Sequence, residues 1–192
     1  MKLEINGLSK SFGTLRVLDH VTLSLTSDRS YCLMGPSGSG KTTLFQILLG
    51  LMEADSGSIK GLEGKRASAV FQENRLCEAF TPIENVAMVL PGRFRENRQR
   101  AAACLSRLLP AEALSRPVST LSGGMKRRVA IVRALSMPSD LLIMDEPFSG
   151  LDEALKQKVI HYIREETGSR LLLISTHQEE DVALLGADLI RL

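Results

Sequence analysis

Gly35-Pro36-Ser37-Gly38-Ser39-Gly40-Lys41-Thr42 decides how the rest of the chain is read. It fits the pattern G-x-x-x-x-G-K-[ST], for which a chance match in a chain of 192 residues is on the order of one per cent. Before it, Ser30-Tyr31-Cys32-Leu33-Met34 is a mostly apolar run that predicts a buried strand. After it, Leu44, Ile47, Leu48 and Leu51 recur at i, i+3, i+4 and i+7, the apolar stripe of a helix. Glycines let the backbone curl until successive N–H groups point inward, and a helix N-terminus adds partial positive charge. Strand, glycine loop and helix together make a phosphate cradle. Lys41 is placed to reach the outer phosphates of a nucleotide, and the Thr42 hydroxyl to ligate Mg²⁺.

A second feature, acidic this time, lies downstream. Leu141-Leu142-Ile143-Met144-Asp145-Glu146 is an apolar strand ending in two acids. Acids often end strands merely to be solvated. Paired with a phosphate loop, Asp145 sits where a Mg²⁺ carboxylate belongs, and Glu146 is placed to polarise an attacking water as general base. Nearer the start, Val21, Leu23 and Leu25 alternate with Thr22, Ser24 and Thr26, a period that fits a half-buried strand.

Beyond residue 73 the character changes. Candidate helices begin near Pro82 and Glu96, with a break at Pro110, and Arg93, Arg95, Arg98 and Arg100 crowd the middle. That run reads as a solvated helix face. Further on, a helix carries Met125, Val129 and Val132, followed by a strand at 141–145, a helix at 153–166, a strand at 171–175 and a helix from about 178. Strands alternating with helices of this length predict right-handed crossovers and a parallel sheet, an α/β fold.

Composition narrows the function classes. The chain has 24 Lys+Arg and 22 Asp+Glu, a net charge of +2, which argues against a protein built mainly to neutralise nucleic-acid phosphates. Aromatics make up 4% with no Trp, so the core is expected to be aliphatic. No apolar run approaches the roughly 18 residues that span a bilayer, and Met1-Lys2-Leu3-Glu4 lacks a signal-peptide pattern. Cys32, Cys77 and Cys104 lie far apart with no CxxC pair, so a disulfide frame or zinc site is not expected.

Leu121-Ser122-Gly123-Gly124-Met125-Lys126-Arg127-Arg128 resembles the signature of ATP-binding cassette (ABC) ATPases. Physically, Ser122 and two glycines opening a helix form a second anion-binding N-terminus. One nucleotide needs one cradle, so a second suggests a nucleotide shared between two chains in a two-fold dimer. Other landmarks match the family in order: Gln72 fits the Q-loop glutamine, Ser149-Gly150-Leu151-Asp152 the D-loop, and His177 the switch histidine. Phe12 fits the aromatic that stacks on adenine, with a packed core ring as the other reading.

The resemblance implies a P-loop NTPase core with a mostly parallel sheet, an N-terminal antiparallel β subdomain and an inserted helical subdomain. The core lobe would comprise residues 1–73 and 118–192, the helical subdomain 74–117. It implies ATP and Mg²⁺ as ligands, with Gly35, Pro36, Ser37, Gly38, Ser39, Gly40, Lys41, Thr42 and Thr43 on the phosphates. Thr42, Gln72 and Asp145 would lie at the metal, and Lys41, Gln72, Glu146 and His177 would act in hydrolysis. Ser122, Gly123, Gly124 and Asp152 would complete the site from the other chain of an ATP-bound homodimer.

The implied activity is ATP hydrolysis driving a separate membrane permease, with an extracytoplasmic substrate-binding protein acting through it and no nucleic-acid partner. The chain would lie on the cytoplasmic face of the membrane. Phe71-Gln72-Glu73-Asn74-Arg75-Leu76 and Thr81-Pro82-Ile83-Glu84-Asn85-Val86 look most like bacterial importer ATPases, and the nitrate, sulfonate and taurine group is similar. The alternative is a non-transport ABC ATPase that regulates membrane-anchored partners or acts on DNA or ribosomes. Two residues depart from the family, Met125 in place of the usual Gln and Gly150 in place of Ala, and with an end at Leu192 no C-terminal regulatory domain is expected.

Overall fold

Alternating apolar and polar residues near the N-terminus pair into an antiparallel sheet in the computed structural model, which describes residues 1–192. Strand β1 (Lys2–Phe12) turns through Gly13 into β2 (Leu15–Thr26), with Leu3 opposite Leu25 and Ile5 opposite Leu23. Gly13 has φ 60, a left-handed conformation that suits glycine in so tight a hairpin. β1 pairs on its other side with β4 (Ser56–Lys60), giving the order β2-β1-β4. Leu3, Ile5, Leu8, Leu18 and Leu25 are buried beneath this sheet. The antiparallel N-terminal subdomain is therefore present. Its first strand escapes a strict two-residue period because the β1–β2 register shifts between Ile5 and Leu8 and twice more before Ser11.

The second sheet is parallel. β3 (Ser30–Met34) pairs with β7 (Leu171–Ser175) on one side and β8 (Asp188–Arg191) on the other, and β6 (Leu141–Asp145) pairs with β7. Every residue of β6 and β7 is buried. Such continuous apolar runs are what a sheet covered on both faces requires. Helix α1 (Lys41–Leu48) packs against β6 and β2, and α6 (Glu179–Leu185) packs against β3. Leu44, Ile47 and Leu48 are buried as the helical stripe predicts, and Phe45 is buried beside them. Leu51 is not: the helix stops at Leu48, Gly50 turns at φ 68, and Leu51 is 58% exposed.

Two compact units result. The first is Met1–Ala67, Ser139–Glu146 and Gly168–Leu192; the second is Ser68–Pro138 and Pro147–Thr167. Strand β5 (Ala67–Val70) carries the chain from one to the other. The second unit is mainly helical: α2 (Pro82–Ala87), α3 (Phe94–Ser106), α4 (Gly123–Ser136) and α5 (Glu153–Thr167). α2 opens with a capping box, in which the Thr81 hydroxyl accepts from the Glu84 N–H while the Glu84 carboxylate accepts from the Thr81 N–H. Arg93, Arg95, Arg98 and Arg100 are exposed, with Arg98 paired to Glu84 at 3.0 Å. Past α3, Arg107 donates to Glu165 and Glu166 of α5 and lies 4.4 Å from the Tyr162 ring centroid.

Candidate functional site

In the first unit, β3 delivers the chain into a loop that only glycine fits at two places. A Cβ at Gly35 would stand 2.6 Å from the Leu192 carbonyl oxygen, and one at Gly40 would stand 2.6 Å from Leu18 Cδ2 and 2.8 Å from the Val17 oxygen. Gly40 also has φ 95 and caps α1 with no side-chain hydrogen bond, and no acid lies in that first turn. The early N–H groups of α1 are thus left to an anion. Lys41, 6% exposed, curls back over the loop and donates to the carbonyls of Gly35 at 2.8 Å and Pro36 at 3.0 Å. Ser39 Oγ is buried within the loop without a hydrogen-bond partner, and a phosphate oxygen would satisfy it. Cys32, just upstream, is a buried thiol whose pKa burial pushes up to about 12, so it is inert as a nucleophile.

Both acids end at this loop. Thr42 Oγ1 donates to Asp145 Oδ2 at 2.7 Å across 103 residues of chain. Ser175 Oγ, fully buried, donates to Asp145 Oδ1 at 2.6 Å and accepts the Glu146 N–H at 2.8 Å. Glu146 has φ 47, and a left-handed backbone in a non-glycine residue costs roughly 1–2 kcal/mol. Glu146 Oε1 lies 2.7 Å from His177 Nε2. The 35–42 loop, Asp145, Glu146 and His177 therefore form one cluster. Mg²⁺ is usually held by one or two protein oxygens plus phosphate oxygens, and a Thr hydroxyl beside a buried carboxylate suits that role. Phe12, on β1, is 48% exposed with Lys10 Nζ 5.8 Å from its centroid, so it is not a packed core ring.

The remaining residues singled out in the sequence lie in the second unit. Ser122 N-caps α4, accepting from the Met125 N–H at 3.3 Å, and is exposed with Gly123. A Cβ at Gly124 would lie 3.4 Å from Leu151 Cδ2 and 3.5 Å from the Gly150 oxygen, so the start of α4 rests against the 149–152 turn. Asp152 Oδ1 accepts from the Leu155 N–H at 2.9 Å, capping the first turn of α5. Gly150 has φ 75, which an alanine there would adopt only under strain. Gln72 is exposed, and its backbone is held: Arg127 of α4 donates to the Phe71 oxygen at 2.6 Å and the Gln72 oxygen at 2.5 Å. Arg133 donates to the oxygens of Arg75 and Asn74. Burial lowers the pKa of Arg133, and carbonyl partners of this kind offset the desolvation of its charge.

Ser175 and Arg127 were not among the residues the sequence picked out. Ser175 is legible only through its place at the end of β7, opposite Asp145 in register. Arg127 had a nearer signal, a basic residue one helical turn into α4.

A family model described as ABC transporter matches residues 18–149. The sulfate/thiosulfate import ATP-binding protein CysA of Yersinia pseudotuberculosis is 37% identical over 94% of this chain and 55% of its own length. The proteins of the same name from Escherichia coli K12 and Bordetella pertussis are 37% and 34% identical, again over 94% of this chain. This chain spans about half the length of these relatives. Among solved structures, a dimeric post-hydrolysis state of the ATP-binding cassette MJ0796 bound to ADP and Pi superposes with a TM-score of 0.88, 24% identity and coverage of 99% of this chain and 94% of that one. A second dimeric MJ0796 structure agrees at 0.88 and 23%.

Proposed function

Because the chain belongs to the ABC transporter family, we propose that it is the ATP-hydrolysing module that powers solute import through a separate membrane permease. The observation that carries this reading is the cluster at the ends of β6 and β7, where Glu146 meets His177 and Asp145 meets Thr42 beside a glycine loop whose helix has no side-chain cap. The loop amides and Lys41 bind the phosphates, Lys41 leaving its carbonyl partners for the anion's charge. Thr42, Asp145 and Gln72 would hold Mg²⁺, which would supply charge neutralisation at the phosphates. Glu146 takes the proton of the attacking water, and His177, in contact with its carboxylate, orients it. Phe12 offers its exposed face to the adenine.

Ser122, Gly123, Gly124 and Asp152 act on the nucleotide bound by a second copy. The dimeric form of the MJ0796 structures supports a head-to-tail homodimer. The names of the relatives, import ATP-binding proteins for sulfate and thiosulfate, support an importer; on that reading the chain works at the cytoplasmic membrane face, with an extracytoplasmic binding protein acting through the permease. No helix of the chain is long and apolar enough to cross a membrane.

Glu146→Gln tests the chemistry directly. ATP binding is expected to persist while turnover falls by roughly 10²–10⁴-fold, the usual contribution of a general base. Turnover equal to the parent's would remove Glu146 from that role.

A further inference from the structure

We propose that Ser175 is a positioning residue whose single hydroxyl locks the carboxylate of Asp145 and the backbone of Glu146 into one fixed edge of the site. This rests on the hydrolytic reading above. A serine hydroxyl has one proton to give and lone pairs to receive. Here the proton goes to Asp145 Oδ1 at 2.6 Å, and a lone pair takes the Glu146 N–H at 2.8 Å. The parallel register sets Ser175 opposite Asp145 at the carboxyl ends of β7 and β6, and Ser175 is fully buried.

The other oxygen of Asp145 accepts from Thr42, so two hydroxyls from two elements fix the carboxylate. Glu146 is gripped at both ends as well: Ser175 holds its N–H, and His177, two residues further along the same segment, meets its carboxylate. The N–H bond also pins the left-handed backbone at Glu146, a conformation that a non-glycine residue leaves readily when unsupported. An apolar side chain at 175 would withdraw the partner from both acids at once. The nucleotide's phosphates, held by the 35–42 loop, would feel little of this. The signature of a positioning role is therefore a loss in turnover and metal affinity with substrate affinity preserved.

The experiment measures ATP turnover by the purified chain, together with Mn²⁺ affinity by electron paramagnetic resonance in the presence of a non-hydrolysable ATP analogue. Ser175→Ala is expected to lower kcat and weaken Mn²⁺ binding each by roughly 10–100-fold, as loss of a partner behind a metal ligand typically does, with KM for ATP within about twofold of the parent. Ser175→Thr, which keeps the hydroxyl, should restore both. Parent-like kcat and Mn²⁺ affinity in Ser175→Ala would overturn the proposal, as would a rise in KM alone. If Ser175→Ala does not fold, Ser175→Cys carries the test: similar in size but a poor donor, it should show the same two losses, and parent-like values would overturn the proposal. A parent that binds Mn²⁺ and nucleotide but does not hydrolyse ATP would refute the hydrolytic reading, while the Mn²⁺ comparison still decides the role of Ser175.

Discussion

Gly40 illustrates how little latitude single residues have at the phosphate loop. Its φ of 95 is left-handed, and a Cβ there would strike both Leu18 Cδ2 and the Val17 oxygen. Gly40→Ala is therefore expected to destabilise the protein by about 3 kcal/mol, summing left-handed strain and overpacking. A urea titration reads this as a lower midpoint at unchanged slope. A fully stable variant would mean that the loop yields where the packing suggests it cannot. The motif needs glycine at this place for two separable reasons, dihedral and steric. Only the first is deducible from the pattern G-x-x-x-x-G-K-[ST], because the second depends on which strand lies behind the loop.

At the scale of elements, α2 and α4 each carry a testable device. The Glu84 carboxylate in the α2 capping box is held below its ordinary value of 4.5 by the Thr81 N–H first, then by the Thr81 hydroxyl and Arg98. A carboxyl lowered on folding stabilises the native state above its unfolded value, and that contribution is lost as pH falls through the folded value. Thr81→Ala is expected to cost about 1 kcal/mol at neutral pH. The stability difference between parent and Glu84→Gln should shrink on acidification below pH 4.5, measured by thermal unfolding across pH. A difference that stays constant would deny the carboxylate its role in the cap.

Helix α4 reaches Gln72 through Arg127, which grips two successive carbonyls. Arg127→Gln removes one strong donor fork, and charge-assisted bonds of this kind contribute roughly 1.5–3 kcal/mol. Amide exchange in the 71–75 segment is then expected to speed up by about 10–100-fold, read by mass spectrometry. Unchanged exchange there would show that other contacts suffice to order the segment.

The whole molecule poses the question of how many chains make one site. If Ser122, Gly123 and Gly124 serve a second copy's nucleotide, chains damaged at opposite halves should rescue one another. Lys41→Ala and a bulky Ser122→Arg are each expected to be inactive alone. Mixed, half the dimers are heterodimers with one intact site of two, so activity should return to about a quarter of the parent's under random exchange. No recovery on mixing, with heterodimers verified by mass, would argue that each chain works alone.

What the sequence determined by itself was local. The phosphate loop, the two acids closing an apolar strand and the alternation of strands and helices from β6 to α6 could be read because each depends on residues within a few positions of one another. The apolar stripe of α1 was legible up to Leu48, while Leu51 fell outside it because Gly50 ends the helix in a left-handed turn. Strand β1 was hidden because register shifts against β2 break its alternation.

The tertiary structure alone decided which distant groups share a proton or a charge. Ser175 meets Asp145 across 30 residues only because β6 and β7 pair in that register. Arg127 meets the Gln72 backbone only because α4 lies where its guanidinium can reach it. Hydrogen bonds are short and directional, so a shift of one residue in register would break them while leaving the apolar pattern of either strand intact.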